Sequence, residues 1–186
     1  MSAPNYDPWF DLETRTDLHV GVRPLRSADV FWLPDQGVIL LGSHLSETER
    51  AEHLAHALVH VDLGHRPIPQ HRPGRDRFMA DRERATEIVS AERLIGVEAM
   101  SAALRESDTA EQAADALGVT PGLLRLRHRR LSAAVRYAFG LCGAIVDWTG
   151  VDDLPPYACG VLNLGSMVKA HTVERVRPRY LELNAA

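Results

Sequence analysis

An α+β fold is what this sequence predicts, on three observations: two apolar runs around a turn signal, a capping box that opens a strongly periodic helix, and helical periodicity that resumes several times before residue 140. The runs are Val30-Phe31-Trp32-Leu33 and Val38-Ile39-Leu40-Leu41, and between them Pro34-Asp35-Gln36-Gly37 supplies a reversal, so the segment reads as a β-hairpin. Ser46-Glu47-Thr48-Glu49 follows, in which the Ser46 hydroxyl and the Glu49 carboxylate satisfy opposite backbone N–H groups at a helix start. Ala51, Leu54, Ala55, Leu58 and Val59 then recur at helical spacing, which predicts an amphipathic helix ended by Gly64, with Glu49, His53, His56 and His60 along the border of core and solvent.

The segment 65–77, with Pro67, Pro69, Pro73 and Gly74 among basic residues, reads as a loop. A second helix is expected over about Met79 to Ile95, with Ala85, Ile88, Ala91 and Leu94 or Ile95 inward and Glu83 and Glu87 one turn apart beside them. Further helical patterns cover Glu98 to Arg105, Ala110 to Leu117 and Gly122 to Phe139. After Gly140 the pattern weakens into glycine-punctuated apolar pieces broken at Pro155-Pro156, so the division expected is a domain over 1–135 and an extension over 136–186.

Composition narrows the functional classes. A chain of 186 residues, 45% hydrophobic and 25% charged, holds enough apolar material for one domain with or without a small appendage. A net charge of −4 gives no global attraction to nucleic acid or to an anionic membrane. Two cysteines, Cys142 and Cys159, are too few for a disulfide framework, and the acidic start at Asp7, Asp11 and Glu13 is unlike a secretory signal, which makes the cytoplasm the expected compartment. No apolar run approaches the roughly 20 residues of a membrane-spanning helix, so no membrane partner is expected.

His56 and His60 stand one helical turn apart and can turn imidazole nitrogens toward a single ion. Nine histidines in this length produce about 0.4 such pairs by chance, so the claim rests on context: a hairpin, a capped helix bearing the pair, a loop, then a helix offering Glu83 or Glu87 as a third ligand.

The run Leu54-Ala55-His56-Ala57-Leu58-Val59-His60, then Arg82-Glu83-Arg84-Ala85 and Ser90-Ala91-Glu92-Arg93-Leu94-Ile95, resembles the ImmA/IrrE family of zinc metallopeptidases over roughly residues 5–135. The resemblance implies a zincin-like helical core with a small sheet packed on it, Zn2+ held by His56, His60 and Glu83, and water in the fourth position. It also implies limited cleavage of a regulatory protein, a helix-turn-helix repressor, in the setting of a phage, mobile element or stress response. In that family a glutamate between the two histidines relays the proton of the zinc-activated water to the leaving amine. Here that position is Ala57. Alanine has no titratable group, and losing a general base costs a factor of about 10²–10⁴, so the expectation is a folded, metal-competent and nearly inactive chain. Two origins stand open: a glutamate replaced to trap substrate, which the intact remainder of the motif favours, or a natural pseudopeptidase.

Other residues carry weaker expectations. His65 is expected in a loop at the cleft mouth, His53 on a solvated edge, and Tyr137 and Tyr157 in ordinary packing. Ala110 to Leu131 imitates a helix-turn-helix whose second helix bears Arg125, Arg127, His128, Arg129 and Arg130. The alternative function is therefore a non-catalytic pseudopeptidase module that binds a repressor or DNA through this segment, although Arg127 falls where that motif wants an apolar residue.

Overall fold

In the structure, a computed structural model, residues 6–69, 71–141, 146–154 and 159–162 are described. Asp7 caps the first helix, α1 (Pro8–Glu13), by accepting from the amides of Trp9 and Phe10. Strands β1 (His19–Arg23), β2 (Val30–Leu33) and β3 (Val38–Gly42) follow, then helix α2 (Glu47–Asp62), which begins at the Ser46–Glu49 capping box. The remaining helices are α3 (Arg75–Leu94), α4 (Val97–Glu106), α5 (Ala110–Leu117), α6 (Pro121–Arg130) and α7 (Ala133–Ala138), and a short strand, β4 (Cys159–Val161), completes the described elements. This is an α+β architecture.

The sheet runs in the order β1-β3-β2-β4. The expected hairpin is the antiparallel β2/β3 pair, and its turn places Gly37 at φ 62°, where a Cβ would also meet the Asp17 carbonyl oxygen at 2.4 Å. β1 lies parallel to β3, and β4 lies parallel to β2 at the opposite edge. All four β2 residues are buried, because both faces of the strand are covered. Val30 and Trp32 join Leu54, Ala57 and Leu58 of α2 in one apolar cluster, while Phe31 and Leu33 pack with Ala28 and Leu40 on the other side.

A second, helical cluster gathers Ala91, Leu94, Ile95, Met100, Leu104, Ala114, Leu123 and Leu124, and Ala55 of α2 belongs to it. Helix α2 thus stands between the sheet and the other helices, and every residue from Glu52 to His60 is buried. That corrects the amphipathic reading: the histidine edge faces protein, not solvent. The inward stripe of α3 also differs from expectation. Ala85 is exposed, and Arg82, Thr86, Ser90, Ala91 and Leu94 are the buried positions, so the first half of the stripe is polar. The helix expected over Gly122 to Phe139 is two helices, because the Ser132 hydroxyl accepts from the Val135 amide and caps a new start. Beyond Gly140, Val146, Trp148 and Leu154 pack against the helical cluster, and Trp148 stacks on His128 at 5.3 Å between centroids.

Candidate metal centre

Two helices and one strand converge on a single point. His56 and His60, both 0% exposed, project from α2 toward α3. Their Nε2 atoms are 3.0 Å apart, and the Glu83 Oε2 lies 3.2 Å from the first and 3.0 Å from the second. Glu83 is therefore the carboxylate that α3 delivers, and Glu87, one turn further on, is not among the converging residues. The fourth member is Cys159 of β4: its Sγ and the ligand atoms of His56, His60 and Glu83 all lie within 4.8 Å of one another.

With Glu83 ionised, protons alone do not satisfy this triangle. A neutral imidazole carries one N–H, so if both Nε2 atoms donate to Glu83, two N–H groups confront each other across 3.0 Å. A cation at the centre removes the conflict, because every member then presents a lone pair. Zinc takes nitrogen or oxygen donors at 2.0–2.1 Å and sulfur at about 2.3 Å, so the edges of its donor polyhedron are about 3.3 Å between first-row atoms, close to the edges found. The donor set of two imidazoles, a carboxylate and a thiol is one that zinc accepts, and the residues present fit the ion.

Neighbouring groups fix the orientation of the donors. His60 Nδ1 lies 2.8 Å from His65 Nδ1, which leaves Nε2 for the centre, as metal-ligating histidines arrange their second nitrogen. The Arg82 guanidinium reaches the far oxygen of Glu83 at 3.3 Å through both Nε and Nη2, and its Nη1 donates to the Arg66 carbonyl at 3.0 Å. Burial, chiefly, pushes the His56 imidazole down to about 4, and burial with the neighbouring His60 pushes His65 down to about 4 as well. Burial alone would raise Glu83, but hydrogen bonds from His56 and His60 more than reverse it and hold the carboxyl below its usual range. Burial likewise pushes the Cys159 thiol well up. Neutral imidazoles and an ionised carboxylate are the states a divalent cation needs.

Ala57 occupies the position between the two histidines, 0% exposed, in the apolar cluster that includes Val30, Leu58 and Val161 and against which Cys159 packs. Beside Glu83 opens a cleft of about 670 Å³ walled by α3, α6 and residues 153–154, with Glu87, Arg84, Arg129 and Leu126 on its sides.

The remaining residues singled out in the sequence fall elsewhere. His53 is buried, not solvated: its Nδ1 faces the Glu49 carbonyl at 2.7 Å and its Nε2 lies 3.7 Å from Asp29. Tyr137 is 81% exposed, and Tyr157 lies outside the described residues. On α6, Arg127 is buried and bonds the Ile95 carbonyl and Glu92, Arg125 bonds the Val151 carbonyl, and Arg129 pairs with Asp153. Three members of the basic stripe are thus bound within the protein.

Sequence reasoning missed Cys159, Arg82 and the role of His65. Arg82 carried a signal, being adjacent to Glu83 in the second motif, and His65 carried one in its place five residues after His60. Cys159 had none, since a thiol reaching the centre from a three-residue strand leaves no local periodicity.

A family model described as the IrrE N-terminal-like domain, Peptidase M78, matches residues 14–129. No curated protein matches the chain, and neither does any solved structure.

Proposed function

Since the chain belongs to the IrrE N-terminal-like family of peptidases, we propose that it is a zinc-binding protein of metallopeptidase type in which Ala57 disables hydrolysis, so that it holds a protein partner without cutting it. The observation that carries this reading is the convergence of His56, His60 and Glu83 on one point with an alanine where a base is required. The parent activity is limited endopeptidase cleavage of a regulatory protein, and the family resemblance makes a helix-turn-helix repressor the partner. The cleft beside Glu83 is where that partner docks.

When bound, zinc supplies Lewis acidity toward a carbonyl and lowers the pKa of a water. The chain's residues set the terms. His56 and His60 present neutral nitrogens, Glu83 presents an anionic oxygen steadied by Arg82, and the dry surroundings strengthen each of these interactions. The step that fails is proton transfer: an Ala57 methyl takes no proton and gives none. Removing such a base costs a factor of about 10²–10⁴, enough to leave peptide turnover near background.

The test is elemental analysis of the purified full chain, with one zinc per chain expected and the metal lost in His60→Ala, together with an assay for cleavage of helix-turn-helix repressors. Absence of metal from the unaltered chain, or zinc-dependent cleavage by it, overturns the reading.

A further inference from the structure

The family pattern uses three protein ligands, yet the structure brings a fourth donor to the same point. We propose that Cys159 is a zinc ligand and that β4 thereby closes the coordination sphere, turning a site of hydrolytic design into a four-donor structural one. This rests on the reading that His56, His60 and Glu83 bind a divalent cation.

The placement of Cys159 follows from how β4 is seated. The strand pairs with β2 in the register Val30↔Cys159, Phe31↔Gly160 and Trp32↔Val161, and the Leu162 amide donates to the Trp32 carbonyl at 3.0 Å. Successive strand residues point to opposite faces. Val161 is buried in the cluster shared by the sheet and α2, so Cys159, two residues away, points to the same face, toward the histidine helix. Gly160 points the other way, against Phe31: a Cβ there would stand 2.5 Å from two of its ring carbons. The glycine permits the close approach and the approach delivers the thiol, whose sulfur is within 4.8 Å of the three other donors.

Two features then agree. A hydrolytic zinc site keeps one position open for water, whereas structural sites are closed by four protein ligands, commonly with cysteine among them. This chain lacks the base that would use the water and brings a sulfur within 4.8 Å of the other three donors, near enough to compete with a water for the fourth position. Either change alone removes turnover, and together they leave the metal a role in holding β4 to the domain.

Cobalt(II) loaded into the full chain in place of zinc is the probe, because a thiolate bound to cobalt gives a charge-transfer band in the near ultraviolet and a low-symmetry site gives visible d–d bands. The expected result is both signals in the unaltered chain, loss of the charge-transfer band alone in Cys159→Ala, and both signals kept in Cys142→Ser. Competition with a chelator should show zinc affinity in Cys159→Ala lower by at least about tenfold, since even outer partners of a ligand are worth 10–100-fold. Visible bands without the charge-transfer band in the unaltered chain overturn the role of Cys159 and leave the metal site standing. Absence of both signals overturns the metal reading and this inference with it.

Discussion

At the scale of single residues, Ala57 decides more than the loss of a base. Its side chain is enclosed by the α2–sheet cluster, so Ala57→Glu introduces a methylene and a carboxylate into an apolar seam. Overpacking of this kind costs about 1–3 kcal/mol, and the unpaired acid adds to it. Ala57→Glu alone is therefore expected to lower the urea midpoint and to stay inactive, whereas Ala57→Glu combined with Cys159→Ala frees both volume and a coordination position and should gain cleavage by about 10²-fold or more. Cleavage by the single variant equal to that of the double would show that Cys159 blocks nothing. Arg82 acts through Glu83: Arg82→Met removes the guanidinium from the far oxygen and should weaken zinc binding by about 10–100-fold, read by chelator competition. The histidines also set a pH dependence in the metal-free chain. Burial lowers His56 and His65 from 6.5 to about 4, so below 6.5 the unfolded chain takes up protons that the folded one refuses. Stability from these groups is complete above about pH 6.5 and falls as pH drops toward about 4. Glu83, held below its usual range, adds a loss in the same direction at lower pH. Urea midpoints in chelator should decline across that window, and a flat profile would contradict the buried neutral state of the imidazoles.

At the scale of elements, β4 is the piece whose seating brings Cys159 to the proposed centre. Gly160→Val forces a branched side chain against the buried Phe31 ring, and it is expected to destabilise the protein by about 1–3 kcal/mol while diminishing the cobalt charge-transfer band. A normal band would mean that the thiol reaches the centre without the strand. The contrast between β4 and α2 shows what the sequence makes legible. Helix α2 announced itself through Ser46 and Glu49, whose reciprocal hydrogen bonds are local chemistry, and the hairpin did so through the turn at 34–37. The choice of Glu83 over Glu87 was not local: both lie on neighbouring turns of one helix, and only the crossing of α3 over α2 separates them. The burial of α2 on both sides was hidden for a related reason, since His53, His56 and His60 count as polar in any pattern while the fold places them inside. Glu52 is a further case, a carboxylate 1% exposed that accepts from the Thr120 amide at 2.5 Å and hydroxyl at 3.0 Å and so ties α2 to the start of α6.

At the scale of the whole molecule, α2 contributes Ala55 to the helical cluster and Leu54, Ala57 and Leu58 to the sheet cluster, and the proposed zinc centre lies where α2, α3 and β4 join. Ion pairs reinforce the same joint from outside, with Asp62 of α2 bridging Arg15 and Arg93 of α3 at 2.5 Å each. These pairs are partly exposed and contribute little individually, so zinc bound at the proposed centre would be the stronger clasp. Among the described residues no helix is long and apolar enough to cross a membrane.

A ligand that binds only the folded state stabilises it by RT ln(1 + [L]/Kd), about 4 kcal/mol when free zinc is a thousandfold above Kd. For a chain of 150–250 residues each kcal/mol moves the melting temperature by about 2–4 °C. Stripping the metal should therefore lower Tm on the order of 10 °C, reversibly on adding zinc back. The same treatment should have little effect on His60→Ala, which starts without the clasp. If chelation leaves Tm unchanged in the unaltered chain, the three elements are held by packing alone and the centre has no structural role. A mobility shift with DNA offers a separate check on the surface of α6: with Arg125, Arg127 and Arg129 bound to Val151, Glu92, Ile95 and Asp153, too few cations remain on that helix to neutralise phosphates. The expected result is no salt-sensitive complex at physiological ionic strength, and a complex whose affinity falls steeply with salt would return the helix pair to the role its sequence imitates.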